Sequence, residues 1–441
     1  MSASLLPQRG IHSFRARSEF VGAVDFGSRD VRVIIARRDE DGTITVIGHG
    51  TAPGRGCVSQ GVIQDLGAAQ MALKRAISDA EKEARVRIPS LFCGINGRNV
   101  ETFIREGNAK LEKETVEPRH MDEALDLASR DVLGAGKRVV SSLSAQEWYV
   151  DDMRVIDPVG IRGHVLKVRV HFARIPAVIE DNIVQCIESQ KRELEDIIFL
   201  PLASSMGCLT PEDMELGVAV LDMGRSTTGL AVYRDRRILG SQVFEWGGYH
   251  LTRDVAAGMH VSFDEADDLI LEYGISDEFI VQGDSREQGD ASSSSKPGAD
   301  AQIKLKSTVN GARTIVPRAE LDMIVYERAK EMLSKVRQYV HARGLAKHLV
   351  RGVVLTGGAA GIKNCVKLGE AVFETPCRVG VPTTVEILPH AINSPEYSGA
   401  VGIVRHGFDF RAAARNGRLD ARSGVASGAR KLGNALRKYF F

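Results

Sequence analysis

Apolar residues recur along this chain in two spacings, and the change from one to the other lays out an α/β architecture. The runs Val21–Val24, Val31–Ala36 and Thr43–Ile47 are separated by Asp25-Phe-Gly-Ser-Arg-Asp30 and Asp39-Glu-Asp-Gly42. Apolar runs broken by such turn-forming clusters predict three strands in an antiparallel meander. From Gly67 to Arg85 the period becomes helical, with Met71, Leu73, Ile77 and Ala80 spaced for one buried face. Leu91–Ile95 then reads as a short buried strand.

The pattern returns roughly 200 residues later. Gly217–Leu221 runs into Asp222-Met-Gly-Arg-Ser-Thr-Thr228, followed by Gly229–Tyr233, a turn at Arg234–Arg237, and Ile238–Phe244. Both copies set Asp-x-Gly in the turn after an apolar strand. The repeat predicts two duplicated α/β halves around a cleft. Chance likeness of two hairpins is the bland alternative, since strand-turn-strand is common.

Between the copies the pattern changes. Strand-like Thr102–Ile104, a helix over 118–130, and strand-like Arg138–Val150 and Val165–Phe172 predict an inserted subdomain, with Ile179–Leu194 helical again. Further on, Phe263–Glu272 and Arg318–Arg343 read as helices, the second with Leu321, Ile324, Val325, Ala329, Met332, Leu333 and Val336 on one stripe. Val350–Leu355 leads as a strand into Thr356-Gly-Gly-Ala-Ala-Gly361. The expected division is a disordered arm at 1–19, and a first large unit at 20–98 and 181–216 interrupted by the insert at 99–180. A second large unit takes 217–248 and 328–407, interrupted by a small unit at 249–327 with a Ser-rich flexible loop at 282–301. A linker at 408–427 and an amphipathic helix at 428–441 close the chain.

Composition narrows the function classes. With 58 Lys and Arg against 57 Asp and Glu, the net charge of +1 argues against a nucleic-acid-coating protein. Six cysteines without a C-x-x-C pair point to buried thiols in a reducing compartment. No run approaches about 18 uninterrupted apolar residues, so no transmembrane helix is expected. The balance is uneven, however. Residues 411–441 carry eight basic residues against Asp420, a charge of +7, which leaves −6 for residues 1–410. Within that tail Leu432, Ala435, Leu436, Tyr439 and Phe440 fall on one helical face, with Arg430, Lys431, Arg437 and Lys438 flanking it. An apolar face edged by cations suits a helix lying in the plane of an anionic membrane; docking on the protein's own body is the alternative.

Three glycine-bearing turns carry the candidate chemistry: Asp25 to Ser28, Asp222 to Thr228, and Thr356-Gly357-Gly358. Successive backbone N–H groups freed by glycine form an anion-binding concavity. Gly27, Gly224, Ser28, Ser226, Thr227 and Thr228 suit phosphate, and Asp25 and Asp222, facing across the cleft, suit Mg²⁺ held through water. No P-loop, G-x-G-x-x-G, zinc signature or nucleophile elbow is present. His164, His171 and His250 are expected to be structural.

These turns, with Leu355-Thr-Gly-Gly-Ala-Ala360, resemble the two phosphate motifs and the adenosine motif of the actin-like ATPases. More closely, Gly48-His-Gly50, Pro53-Gly-Arg-Gly56, Gly61-Val-Ile-Gln-Asp65, Leu202-Ala-Ser-Ser205, Gly247-Gly248 with Leu251-Thr252 and Asp254, and Tyr397-Ser-Gly-Ala-Val-Gly402 resemble the FtsA family of bacterial cell-division proteins. The likeness covers residues 20–407, and the terminal pattern is similar to that family's membrane-targeting sequence. It implies an actin-like fold with a family-specific insert, and ATP and Mg²⁺ as cofactors. It also implies polymerisation on the cytoplasmic face of the inner membrane at the division site, anchoring of the FtsZ ring through the FtsZ C-terminal peptide, and contact with later division proteins. Gly247, Gly248, Asp267, Gly357, Gly358 and Ala359 are implied at the nucleotide, and Arg318 near the partner-docking and self-association region. The chain departs from the family at Arg225 and Ser226, where glycines are usual, at Ile270, where a Lys is usual, and at Tyr249, where a small polar residue is usual. Weaker nucleotide binding and slow or absent hydrolysis follow, with ATP an assembly ligand. Another actin-like scaffold, of pili or cell shape, and an actin-fold small-molecule kinase are the competing readings.

Overall fold

The computed structural model describes residues 19–111, 115–130, 132, 134, 136–140, 146–281, 301–306 and 315–415. The expected loop at 282–301 (all but Ala301), the arm before Glu19 and the membrane residues Leu432, Leu436, Tyr439, Phe440, Arg430, Lys431, Arg437 and Lys438 lie outside the described residues.

The expected duplication is present in the sheets. In the first, the meander Glu19–Phe26, Asp30–Arg38 and Ile44–Pro53 is joined beside Glu19–Phe26 by parallel Ser90–Ile95, then by Glu193–Phe199. In the second, the meander Val218–Met223, Thr228–Arg234 and Arg237–Phe244 is joined beside Val218–Met223 by parallel Val353–Thr356, then by Cys377–Val379. Strand order and sense are the same in both. Each leading strand is central and buried on both faces, which explains its unbroken apolar run.

Helix Leu66–Ala84 covers the first sheet. Asp65 caps it by accepting from Ala68 N at 2.9 Å. Its buried face is Ala69, Ala72, Leu73, Ala76, Ile77 and Ala80, whereas Met71 is 70% exposed. Small residues win that face because the helix backbone lies directly on the sheet. A Cβ at Gly50 would stand 2.0 Å from Ala76 O, so Gly48-His-Gly50 is a contact requirement.

The insert has its own core of Met121, Leu125, Trp148, Leu166, Val168 and Phe172. Helix Pro118–Ser129 packs on an antiparallel sheet ordered Met153–Val155, Gln146–Val150, Val165–Pro176, Glu101–Lys110. It also docks on the second half. Glu147 Oε2 accepts from Arg237 Nη1 at 2.8 Å, and His171 Nε2 stands 2.8 Å from Ser241 Oγ.

Several boundaries differ from expectation. Helix Ala177–Glu188 stops where an αL turn at Lys191 intervenes, and the remainder of the expected helix enters strand Glu193–Phe199. That helix also spans the expected limit at 180. Strand Val353–Thr356 begins after Val350, which is 61% exposed. The expected linker at 408 is helical in its first part. Helix Ser398–Arg415 continues because Arg411 pairs with Glu195 and donates to Phe20 O, and Arg415 pairs with Glu19 at 3.0 Å.

Candidate functional site

The leading strands of the two sheets end at one cleft, which is open to solvent. Asp25 is the penultimate residue of one strand and Asp222 of the other, and both line it. Both carboxylates are nearly inaccessible (8% and 6%). Burial pushes Asp25 up to about 6, Arg32 opposes the shift, and the charges of Asp222 and Asp30 add to it. Burial raises Asp222 as well, against the hydroxyl of Ser204, whose Oγ donates to Asp222 Oδ2 at 2.6 Å. Leu202-Ala-Ser-Ser205 therefore has a local role, because helix Leu200–Cys208 presents Ser204 to that carboxylate.

Gly27, Ser28, Gly224, Ser226, Thr227, Gly248, Asp267, Gly357, Gly358 and Ala359 line the same cleft. Two expected residues do not. Thr228 is buried on its strand and donates from Oγ1 to Trp246 O at 2.9 Å. Gly247 sits behind the cleft, its N–H donating to His250 Nδ1 at 3.2 Å, while Gly248 and Tyr249 donate to the carbonyls of Gly224 and Arg225. The start of helix Gly248–Met259 is thus consumed in holding the Asp222 turn.

Gly357 is required by a close approach of its own turn to Asp222. Its φ is +80°, and a Cβ there would stand 2.5 Å from Asp222 Oδ1. Only glycine lets this turn pass the carboxylate. Arg318 lies away from the cleft, paired with Asp322 at 3.3 Å and resting over Tyr273.

Residues not anticipated complete the site. Arg32, 7% exposed, places Nη1 4.0 Å from Asp25 and Nη2 3.0 Å from Asp30 and 3.4 Å from Glu396. Its signal is a lone cation in the apolar run Val31–Ala36. Asn96 and Thr252 also line the cleft, with Val58, Ile63, Ile183, Ile270, Leu271 and Ile362 as an apolar wall. Arg225, which stands where the family usually has glycine, donates to Asp267 at 3.0 Å. His164 and His250 are hydrogen-bonded locally, and burial pushes His171 down to about 4, so all three serve structure.

The donor set fits a metal held with a ligand. Among the described residues no group of three His, Cys, Asp or Glu forms a dedicated cage. Two buried carboxylates at the floor of a glycine-lined cleft are nevertheless the oxygen donors that Mg²⁺ takes alongside phosphate and water.

Residues 219–402 match the family model described as "Cell division protein FtsA", and residues 97–173 match "SHS2 domain inserted in FTSA", together more than half of the chain. The chain is 28% identical to cell division protein FtsA of Pseudomonas aeruginosa over 390 residues, covering 88% of this chain and 89% of that protein. It is also 28% identical to cell division protein FtsA of Escherichia coli K12 over 428 residues, covering 96% and 98%. Among solved structures, the fold is similar to the PilM-PilN type IV pilus biogenesis complex (TM-score 0.61, 12% identity, 88% of this chain and 98% of that one). It is similar too to MreB5 of Spiroplasma citri bound to ADP (TM-score 0.52, 14% identity, 90% and 99%). With the insert and the second half both matched, and relatives aligned over nearly their whole length, the chain belongs to the FtsA family of cell division proteins and has an actin-like ATPase fold.

Proposed function

We propose that the chain binds ATP with Mg²⁺ in its cleft and acts in cell division as a polymerising scaffold that anchors the FtsZ ring to the cytoplasmic face of the membrane. The observation that carries the nucleotide reading is the meeting of Asp25 and Asp222, from equivalent strands of the two halves, at the floor of one glycine-lined cleft. The two carboxylates would hold Mg²⁺ through water, and the ion would offset their charge together with that of the phosphates. Arg32 steadies the Asp25 side, and Ser204 orients Asp222 by donating to it. The glycine turns would take the phosphates, and Ile63, Ile270 and Ile362, which line the same cleft, would shield the base from water.

ATP serves as an assembly ligand with slow turnover. Arg225, the one cation of the Asp222 turn, is held by Asp267 and rests over Tyr249 at 5.5 Å, so it is not free to act on a terminal phosphate. Family membership supports the division role, and the cationic, amphipathic pattern of the tail supports anchoring to anionic lipid and the localisation at the membrane. FtsZ, later division proteins and further copies of the chain are the partners that follow from this role; nucleic acid is not among them.

Asp222→Ala tests the nucleotide reading by titration calorimetry of ATP in the presence of Mg²⁺. Loss of one of two metal-facing carboxylates weakens binding by at least about tenfold, on the order of 1.4 kcal/mol. Equal affinity in the variant refutes the reading and makes the turns mere connections.

A further inference from the structure

We propose that Arg55 is the clasp of the cleft, a positioning residue that bridges the two halves across its mouth and sets how long a bound nucleoside triphosphate stays. The proposal rests on the nucleotide reading above. Arg55 belongs to Pro53-Gly-Arg-Gly56, where the chain leaves strand Ile44–Pro53 of the first half. Its guanidinium reaches helix Phe263–Tyr273 of the second. Nη1 donates to Asp264, and Nη2 lies 2.5 Å from Asp267 Oδ2. The planar fork serves one carboxylate with each arm, a geometry that the point charge of lysine does not reproduce.

Asp267 gathers two more donors, both from the second half. Arg225 Nη1 stands 3.0 Å from the same oxygen, and Thr252 Oγ1 donates to the other at 2.5 Å. Arg225 is part of the turn that follows Asp222. The turn bearing Arg55 is in turn fastened to the one that follows Asp25: Gly54 N donates to Arg29 O at 2.8 Å, and a Cβ on Gly54 would stand 2.4 Å from Gly27 O. One carboxylate, itself lining the cleft, is therefore tied to the Asp-x-Gly turns of both halves. A ligand seated on those turns bears on Asp267 from two sides, and the bridge above it resists its exit.

The clasp is also built to release. The side chains of Arg55 and Asp264 are 42% and 84% exposed, so this part of the bridge competes with water and costs the fold little when broken. Asp267, at 16%, is where the grip is firm. A contact of this kind governs dissociation more than encounter.

Stopped-flow fluorescence tests the proposal on the full chain, using a fluorescent ATP analogue with Mg²⁺ chased by unlabelled ATP. Arg55→Ala should raise the dissociation rate about five- to tenfold while association stays within about twofold. Arg55→Lys should fall close to Arg55→Ala, because charge without the fork does not span both carboxylates; Asp264→Asn should give a smaller rise. A second measurement needs no nucleotide: hydrogen exchange of residues 262–273 in the empty protein, faster in Arg55→Ala. A dissociation rate unchanged within twofold, in a wild type that binds the analogue, overturns the proposal. If the wild type binds no nucleotide, the cleft reading falls by itself. Faster exchange would then uphold the bridge between halves, and unchanged exchange would remove it.

Discussion

A buried carboxyl records the cost of its position in its proton affinity, and Asp25 does so at the centre of this cleft. Its folded value of about 6 exceeds the ordinary 3.8 because burial disfavours the anion more than Arg32 restores it. Between these values the folded chain holds a proton that the unfolded chain has released, so stability falls as pH rises from about 4 to about 6 and stays lower above. Asp25→Asn removes that penalty. We expect it to stabilise the ligand-free protein at pH 7.5, by about 2–3 kcal/mol at most, and to lose its advantage as pH drops towards 4. Thermal unfolding at pH 7.5, 6 and 4 measures this, and a variant that is no more stable at pH 7.5 contradicts it. At this scale Asp25, Gly27, Asp222 and Gly357 were legible because each stands where an apolar strand gives way to a turn. Arg32 showed only as an odd cation in an apolar run. Arg55 gave no sign of its role, since its carboxylate partners lie 209 and 212 residues away.

Among elements, contact distance decides what periodicity leaves open. The spacing of Leu66–Ala84 marks a helix, yet a simple apolar count places Met71 on the buried face, whereas alanines fill it. The close approach of that helix to Gly50 is the reason, and nothing within the helix announces it. The insert is similar. Its strands and helix follow from local pattern, but its docking on the second half comes from side chains of separate elements. Glu147, 6% exposed, accepts from Arg169 at 3.1 Å, Tyr149 at 2.5 Å and Arg237 at 2.8 Å. Glu147→Gln keeps the shape and removes the charge, leaving two guanidinium groups short of an anion. Breaking a buried pair in this way should destabilise the protein by about 2–4 kcal/mol. Denaturant unfolding followed by tryptophan fluorescence, with Trp148 beside the site, reads the change, and an unaltered midpoint would mean that the network is surface decoration.

The charge of the whole molecule divides differently from the sequence count. Arg411 and Arg415 belong to the body, paired with Glu195 and Glu19 at the end of helix Ser398–Arg415. Residues 416–441 then hold six basic residues and Asp420, a net of +5. Among the described residues no helix is long and apolar enough to cross a membrane; the proposed attachment to anionic lipid rests on the cationic, amphipathic pattern of residues 416–441. Each cation near an anionic surface contributes about 1 kcal/mol. Deleting residues 416–441 should therefore abolish flotation of the chain with anionic vesicles, and with it the flotation of added FtsZ. High salt should weaken the flotation of the intact chain. Flotation unchanged by the deletion would place the membrane contact elsewhere.

The sequence by itself determined the strand meanders, their duplication, the three turns that meet at the cleft and the cationic amphipathic pattern of the tail. Each is written in residues adjacent in the chain, where alternation, helical period and turn chemistry act. Only the tertiary structure decided that Ser204 and Arg32 attend the two carboxylates. It likewise turned Thr228 and Gly247 away from the cleft, gave Gly357 to the passage of Asp222, and set Arg55 across to Asp264 and Asp267. Those outcomes depend on which distant strands and helices become neighbours, and hydrogen bonds of about 3 Å do not form until the packing of the two halves brings their partners within reach.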